Sequence, residues 1–344
     1  MKFILIRMYI NFFHHYLPPM FATLSYIFNC IFIYVVLKFS RKTLGAYKYM
    51  LACFGVFDIC YSTVDILVGM GSHSEKNTFC VFVSHGLFSD NLKTGFYALC
   101  VRCMFFSLSY GVLEIHFIYR YIALIKPRFI PIFSDKKWIS LLVFLVFLQG
   151  FLWFIAVFEF LEADDEMRSF LEIPFRNDYS VDIYKLPMLG STYWGASNWL
   201  ILRSLLGIFV CTVISCFTIG FCCWVGWTIH SKLRTIEMSK TTKKMHRNLL
   251  TSLSIQTFIP FVISYLPCVV CWTLPMLHID SKGINNSTAI IAVAAFPFID
   301  PLAILLLLPE YRAALWNLLR FRNPAKFRAQ IEPASETNRK STAN

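Results

Sequence analysis

Six charged side chains stand inside stretches that are otherwise long and apolar: Asp58, Asp65, Arg102, Glu114, Arg120 and Asp300. A charge in such surroundings is costly to bury and is a functional hypothesis by default. None of the six belongs to a pattern that performs covalent chemistry. The chain has no G-x-S-x-G, no H-E-x-x-H, no phosphate-binding loop and no Gly-rich dinucleotide turn, so catalysis is poorly supported. Two Cys-x-x-Cys pairs, Cys100/Cys103 and Cys268/Cys271, have the spacing of zinc or thiol-redox motifs. They fall in apolar stretches without His or carboxylate partners at ligand spacing, so no metal and no cofactor is expected. Cys80 could pair with Cys100 or Cys103, whereas the segment Leu161–Trp194 contains no cysteine at all.

The elements that must position these residues follow from composition. Of 344 residues 57% are apolar and only 15% charged, against roughly 25% charged in an ordinary soluble domain. Such a chain cannot cover itself with polar side chains, which excludes intrinsic disorder, a disulfide scaffold and a common soluble enzyme. A helix needs about 20 mostly apolar residues to cross a bilayer. Candidate spans are 16–37, 49–71, 95–125, 138–160, 195–229, 248–274 and 284–308. The second holds Asp58 and Asp65 and the third Arg102, Glu114, His116 and Arg120, so hydropathy alone leaves a count of five or seven.

Charge placement decides the count. With seven spans and residues 1–15 outside, Lys and Arg gather in the three inner loops and the tail, which take 22 of the 32. Acidic residues instead crowd the fourth-to-fifth connection, at Glu162, Asp164, Asp165, Glu166, Glu172, Asp178 and Asp182. That bias is the positive-inside rule with the N-terminus out. The net charge of +12 then belongs to the inner leaflet and to inner partners, and nucleic acid is not an expected one. Met1–Tyr16 makes a poor signal peptide because Arg7 splits its apolar run. The fold expected is an all-α seven-helix membrane bundle, with residues 309–344 forming a short amphipathic helix and a disordered tail. Tyr311, Leu315, Leu318 and Leu319 fall on one face of that helix.

Several segments resemble the nematode serpentine chemoreceptors of the Str group, with its str and srj classes. They are TLGAYKYM (Thr43–Met50), FDICYSTVDILV (Phe57–Val68), EIHFIYRY (Glu114–Tyr121), SIQTFIPFVISYLP (Ser254–Pro267) and FIDPLAILLLLPEYR (Phe298–Arg312). The resemblance implies a rhodopsin-like architecture, a small odorant-like ligand, a heterotrimeric G protein as partner and a site in the cilium of a sensory neuron. It implies an activation switch at Tyr119, Arg120 and Tyr121, closing the third span, and at Asp300 and Pro301 in the seventh. Two departures matter. No acid precedes Arg120, so an adjacent ionic lock cannot form, and Ile304 stands where a Tyr is usual. The plainer reading of Arg120 is a topology anchor that snorkels to the interface.

The remaining residues carry alternatives. Asp58 and Asp300 could face each other, sharing a proton or recruiting a cation, or each could bond separately to Ser, Thr or backbone. Arg102 precedes Arg120 by eighteen residues, roughly 27 Å along a helix, which places it near the outer boundary. Asp65, Arg102, Phe105, Phe106 and Tyr110 are candidates for an outward-opening ligand pocket; Asp65 and Arg102 could instead be a structural pair. Pro260 and Pro267 make a hinge in the sixth span. Asn285 and Asn286 head overlapping glycosylation sequons. The competing class is a multi-pass transporter or an odorant-gated channel. A transporter would show paired broken helices with polar groups at mid-membrane.

Overall fold

The computed structural model describes residues 2–40, 45, 47–235, 237, 239–279 and 284–320. Seven helical stretches among them are long and apolar enough to span a membrane. Helix α1 (Lys2–Phe39) is continuous backbone from the N-terminal segment through the first span. Helix α2 is Tyr47–Leu67. It ends four residues short of the expected Gly71, because Val68–Glu75 is a strand, β1, that folds back on β2 (Thr78–Gly86). Gly69 and Gly71 are poor helix formers, while Thr78–Val83 is rich in aromatic and β-branched residues. Lys76 takes the left-handed conformation at the turn (φ 43°).

Helix α3 (Leu92–Ile125) starts three residues before Gly95, where the Asn91 side chain accepts from the N–H groups of Lys93 and Thr94. Helix α4 spans Lys136–Phe160 and is capped by Asp135. The acidic connection that follows is folded: α5 covers Asp165–Tyr179 and β3 covers Met188–Thr192. Helix α6 (Asn198–Thr235) runs six residues past Ile229. The sixth crossing is composite, with α7 (Lys240–Ile259), a π-helical stretch (Pro260–Tyr265) and α8 (Leu266–Met276). Pro260 removes a backbone donor, and the wide π turn accommodates the loss where the sequence predicts a hinge. Helix α9 is Ile284–Leu307 and α10 is Pro309–Leu319. Tyr311 and Leu315 of α10 are buried against α1 and α9, and Leu318 packs on the same cluster, whereas Leu319 faces outward. The side chains of Asn285 and Asn286, and the tail beyond residue 320, lie outside the described residues.

One end of the bundle thus carries an element that hydropathy does not reveal, a three-stranded antiparallel sheet in the order β1–β2–β3. Thr78 pairs with Thr192 and Phe82 with Met188, so main-chain bonds tie the fourth-to-fifth connection to the hairpin. Gly190 allows the close approach: a Cβ there would strike Met167 and come within 2.7 Å of the Phe79 carbonyl. Strand alternation gives the sheet two faces. Cys80, Phe82 and Met188 face α5 and meet Met167, Leu171 and Phe175, which recur at four-residue spacing. The opposite face looks into the bundle. Cys80 is a free, fully buried thiol, and burial pushes its pKa up.

Polar contacts hold this cap in place. Asp164 caps α5 and pairs with Arg203 of α6 at 3.0 Å. Glu166 accepts from the hydroxyl and the N–H of Ser197, which hold its carboxyl below the usual range. Arg168, itself buried, donates to the carbonyls of Ala163, Ile183 and Leu186. Its guanidinium closes the connection on itself.

The cap also has a built-in acid limit. His73 of β1 is 1% exposed, contacts the Phe175 and Tyr179 rings and lies 3.3 Å from the Tyr179 hydroxyl. Burial lowers its pKa to about 4, against about 6.5 in an unfolded chain. The folded cap holds the neutral ring, so its stability is full above pH 6.5 and is lost as pH falls toward 4. The loss is roughly 3 kcal/mol at the acid end. Thermal melts of the purified protein should therefore fall across that window, and His73→Gln should flatten the fall. A variant with an unchanged pH profile would remove His73 as the cause.

Candidate functional site

Beneath the sheet lies a cavity of about 110 Å³. Its roof is the inward face of the strands at every second residue: Met70 and Ser72, Phe79 and Val81, Leu189 and Ser191. Its walls come from six helices and the π turn, including Tyr61 (α2), Arg102, Cys103 and Phe106 (α3), Trp153 (α4), Cys211 (α6), Tyr265, Trp272 (α8) and Val293 (α9). Tyr265 belongs to the π turn, so the irregularity at Pro260 places an aromatic in the wall.

The five pocket residues proposed from sequence divide. Arg102 and Phe106 line the cavity. Asp65 does not, but forms an ion pair with Arg102, and both are 4% exposed. The Arg102 guanidinium also donates to the Val68 carbonyl at 2.5 Å, fastening the end of α2 and the start of β1 to α3. Tyr110 sits one layer deeper, edge-on to Phe106 and Tyr265. Phe105 turns away. It lies between the Phe57 and Tyr61 rings and lines a separate apolar groove between α2, α3 and α4. Successive helical residues differ by about 100°, and here that step puts Phe106 on the cavity side of α3 and Phe105 on the side of the groove.

Deeper in the bundle, Asp58 and Asp300 are fully buried and lie within electrostatic reach of one another. Among the described residues none of their four oxygens has a hydrogen-bond partner, so separate bonding to Ser, Thr or backbone is not the arrangement found. A polar seam from α1 runs beside α2 and α9. Pro301 has no N–H to offer the Pro297 carbonyl one turn back. That carbonyl accepts instead from Asn29 Nδ2 at 2.9 Å and from Ser25 Oγ at 3.3 Å. Ser62 of α2 donates to Ser25 Oγ at 2.7 Å. The sequence reading missed Ser25 and Asn29. Their signal was two polar residues four apart in a span without charges.

At the end opposite the sheet, Arg120 is 7% exposed and stacks on Tyr47, the first residue of α2, with Cζ 3.5 Å from the ring centroid. Its neighbours in the motif point apart. Tyr119 stacks on Tyr47 and meets Phe133 edge-on, while Tyr121 packs with the α6–α7 cluster of Val225, Ile229, Leu250 and Leu253. Glu114 is engaged elsewhere, with Gln149 of α4 and Thr218 of α6. Tyr47, the main support of Arg120, lies in the TLGAYKYM segment, but sequence alone assigns it no role there, because that role depends on where α2 starts relative to the end of α3.

These features agree with comparison to known proteins. Residues 8–315 match the family described as serpentine type 7TM GPCR chemoreceptor Srj. The chain is 30% identical to serpentine receptor class J-38 of Caenorhabditis elegans over 309 residues, covering 88% of this chain and 92% of that protein. It is 27% identical to serpentine receptor class r-10 of the same organism, covering 87% and 88%, and 24% identical to G-protein coupled receptor str-217, covering 87% of each. The family is one of receptors rather than enzymes. Seven apolar helices and a family match over nearly the whole length identify the chain as a multi-pass membrane protein belonging to the Srj family of serpentine chemoreceptors.

Proposed function

We propose that this chain is a chemosensory G-protein-coupled receptor of the plasma membrane, with its N-terminus and sheet outside and the Arg120 end in the cytoplasm. The orientation is supported by the 22 of 32 Lys and Arg residues assigned to the inner loops and tail. The observation that carries the function is the cavity beneath the sheet. Pockets between bundle helices, apolar with a few oriented polar groups, are the usual small-molecule sites. Its one ionic lining residue, Arg102, is already engaged by Asp65 and by the Val68 carbonyl. The ligand is therefore neutral, and gains mainly from burial at about 25 cal/mol per Å². A cavity near 150 Å³ takes a benzene-sized guest, so one of about 110 Å³ suits a molecule of about six heavy atoms or fewer.

At the inner end Tyr119, Arg120 and Tyr121 contact the G protein, with Asp300 and Pro301 as the switch in the seventh span. Helix α10 lies along the inner leaflet, and the overlapping sequons at Asn285 and Asn286 belong to the third outer loop as glycosylation sites. The test combines an N-terminal epitope stained on intact cells with a calcium or cyclic-nucleotide readout over matched neutral and charged small molecules. The expected result is a surface epitope and responses to neutral compounds. A cytoplasmic epitope, or responses confined to ions, would overturn the proposal.

A further inference from the structure

The seat of Arg120 is unusual in its chemistry. No described carboxylate forms an ion pair with it, and its Nε and Nη2 have no hydrogen-bond partner among the described residues. A guanidinium removed from water needs a compensating partner. The partner present is the Tyr47 ring face, 3.5 Å from Cζ, with the Tyr119 ring 6.0 Å away. Arg is weakly hydrated and planar, which suits it to an aromatic face better than Lys. Tyr47 is held rigidly for this purpose. It is 2% exposed, its hydroxyl lies 3.3 Å from His116 Nδ1, and its ring stacks on Tyr119 at 5.1 Å. His116 also meets Tyr47 and Phe54 edge-on, so the support continues into α2.

The same cluster holds Leu249 of α7, Ile304 and Leu305 of α9, Leu308 at the junction of α9 and α10, and Tyr311 of α10. The seat is thus built where α1, α2, α3, α7, α9 and α10 meet, and any displacement of α7 or α9 relative to α2 changes the packing around it. We propose that Tyr47 is a positioning residue that latches Arg120 in the resting receptor through a cation–π contact, in the role that a carboxylate would otherwise fill. The proposal rests on the receptor reading for its consequence: releasing the latch frees the guanidinium for the G protein and raises signalling without ligand. The contact is strong enough when desolvated to shift that balance by about tenfold.

The test replaces Tyr47 in the full-length receptor by phenylalanine and by phenylalanines carrying two, three and four ring fluorines. Fluorination weakens the ring's negative face with little change of shape. Two readouts are taken at matched surface level: ligand-free nucleotide exchange on a co-expressed G-protein heterotrimer, and hydrogen exchange of residues 119–125 and 246–253 in purified receptor. Tyr47→Phe should behave as wild type in both, and both should climb stepwise with fluorination to about tenfold. If Tyr47→Phe already gives the full rise, the hydroxyl bond to His116 carries the effect and the proposal falls. A flat series in hydrogen exchange also overturns it. Hydrogen exchange that climbs while no variant drives the heterotrimer leaves the latch standing and sinks the G-protein reading, so the two failures are distinguishable.

Discussion

Replacing Asp65 by Leu should remove nearly all receptor from the cell surface, and replacing Arg102 by Met in the same chain should bring it back. The physical reason is the asymmetry of buried ion pairs. Breaking one leaves an uncompensated charge and costs about 3–5 kcal/mol, whereas replacing both partners by apolar groups is often neutral. Both residues are 4% exposed, so solvent offers the stranded guanidinium little relief. A charge swap would be a poorer test here, because a carboxylate at position 102 would face the Val68 carbonyl that Arg102 now satisfies. The double variant also separates structure from recognition. Arg102 lines the cavity and Asp65 does not, so a neutral ligand should still be detected, with its preference shifted toward less polar compounds. Equal loss of surface protein in the single and double variants would refute the ion-pair account. Restored surface level with no response to any neutral ligand would mean that the guanidinium contacts the ligand directly.

The second large effect is expected at the other end. Arg120→Ala should lower agonist-driven second-messenger output on the order of 100-fold, the upper range of a coupling free energy, with surface level within about twofold of wild type. The stability cost stays small because the side chain loses a cation–π contact worth about 0.5–2 kcal/mol, and no described ion pair is broken. Quantitative surface labelling beside the signalling assay checks both halves. Normal output from the variant would reduce Arg120 to a topology anchor. A severe loss of surface protein would instead place its role in folding.

How much of this was legible beforehand depends on the kind of interaction. The seven crossings could be read from the chain because transfer into hydrocarbon is a sum over local side chains, and the two ambiguous spans were settled by counting Lys and Arg. The polarity of Asp58, Asp65, Arg102, Arg120 and Asp300 was visible for the same reason: each is an exception to a local rule. Phe106 was recognised as a wall residue, but so was Phe105, since spacing alone does not say which side of α3 faces inward. Glu114 precedes Arg120 by six residues, more than one helical turn and on a different face, and it engages other helices.

What the chain by itself determined, then, is the membrane class, the number and order of the apolar spans, the charge bias of their ends and the list of costly buried charges, all of which are local or additive. Only the tertiary structure decided the partners. The sheet exists because Met188–Thr192 meets Thr78–Phe82 across more than a hundred residues of sequence, and its strands were hidden in a run whose start reads as the end of a span. Asp65 meets Arg102, Asn29 takes the carbonyl that Pro301 leaves free, and Tyr47 rather than an acid seats Arg120. Each of these pairs joins different helices, and their meeting depends on rotation and depth, which packing sets and hydropathy does not encode.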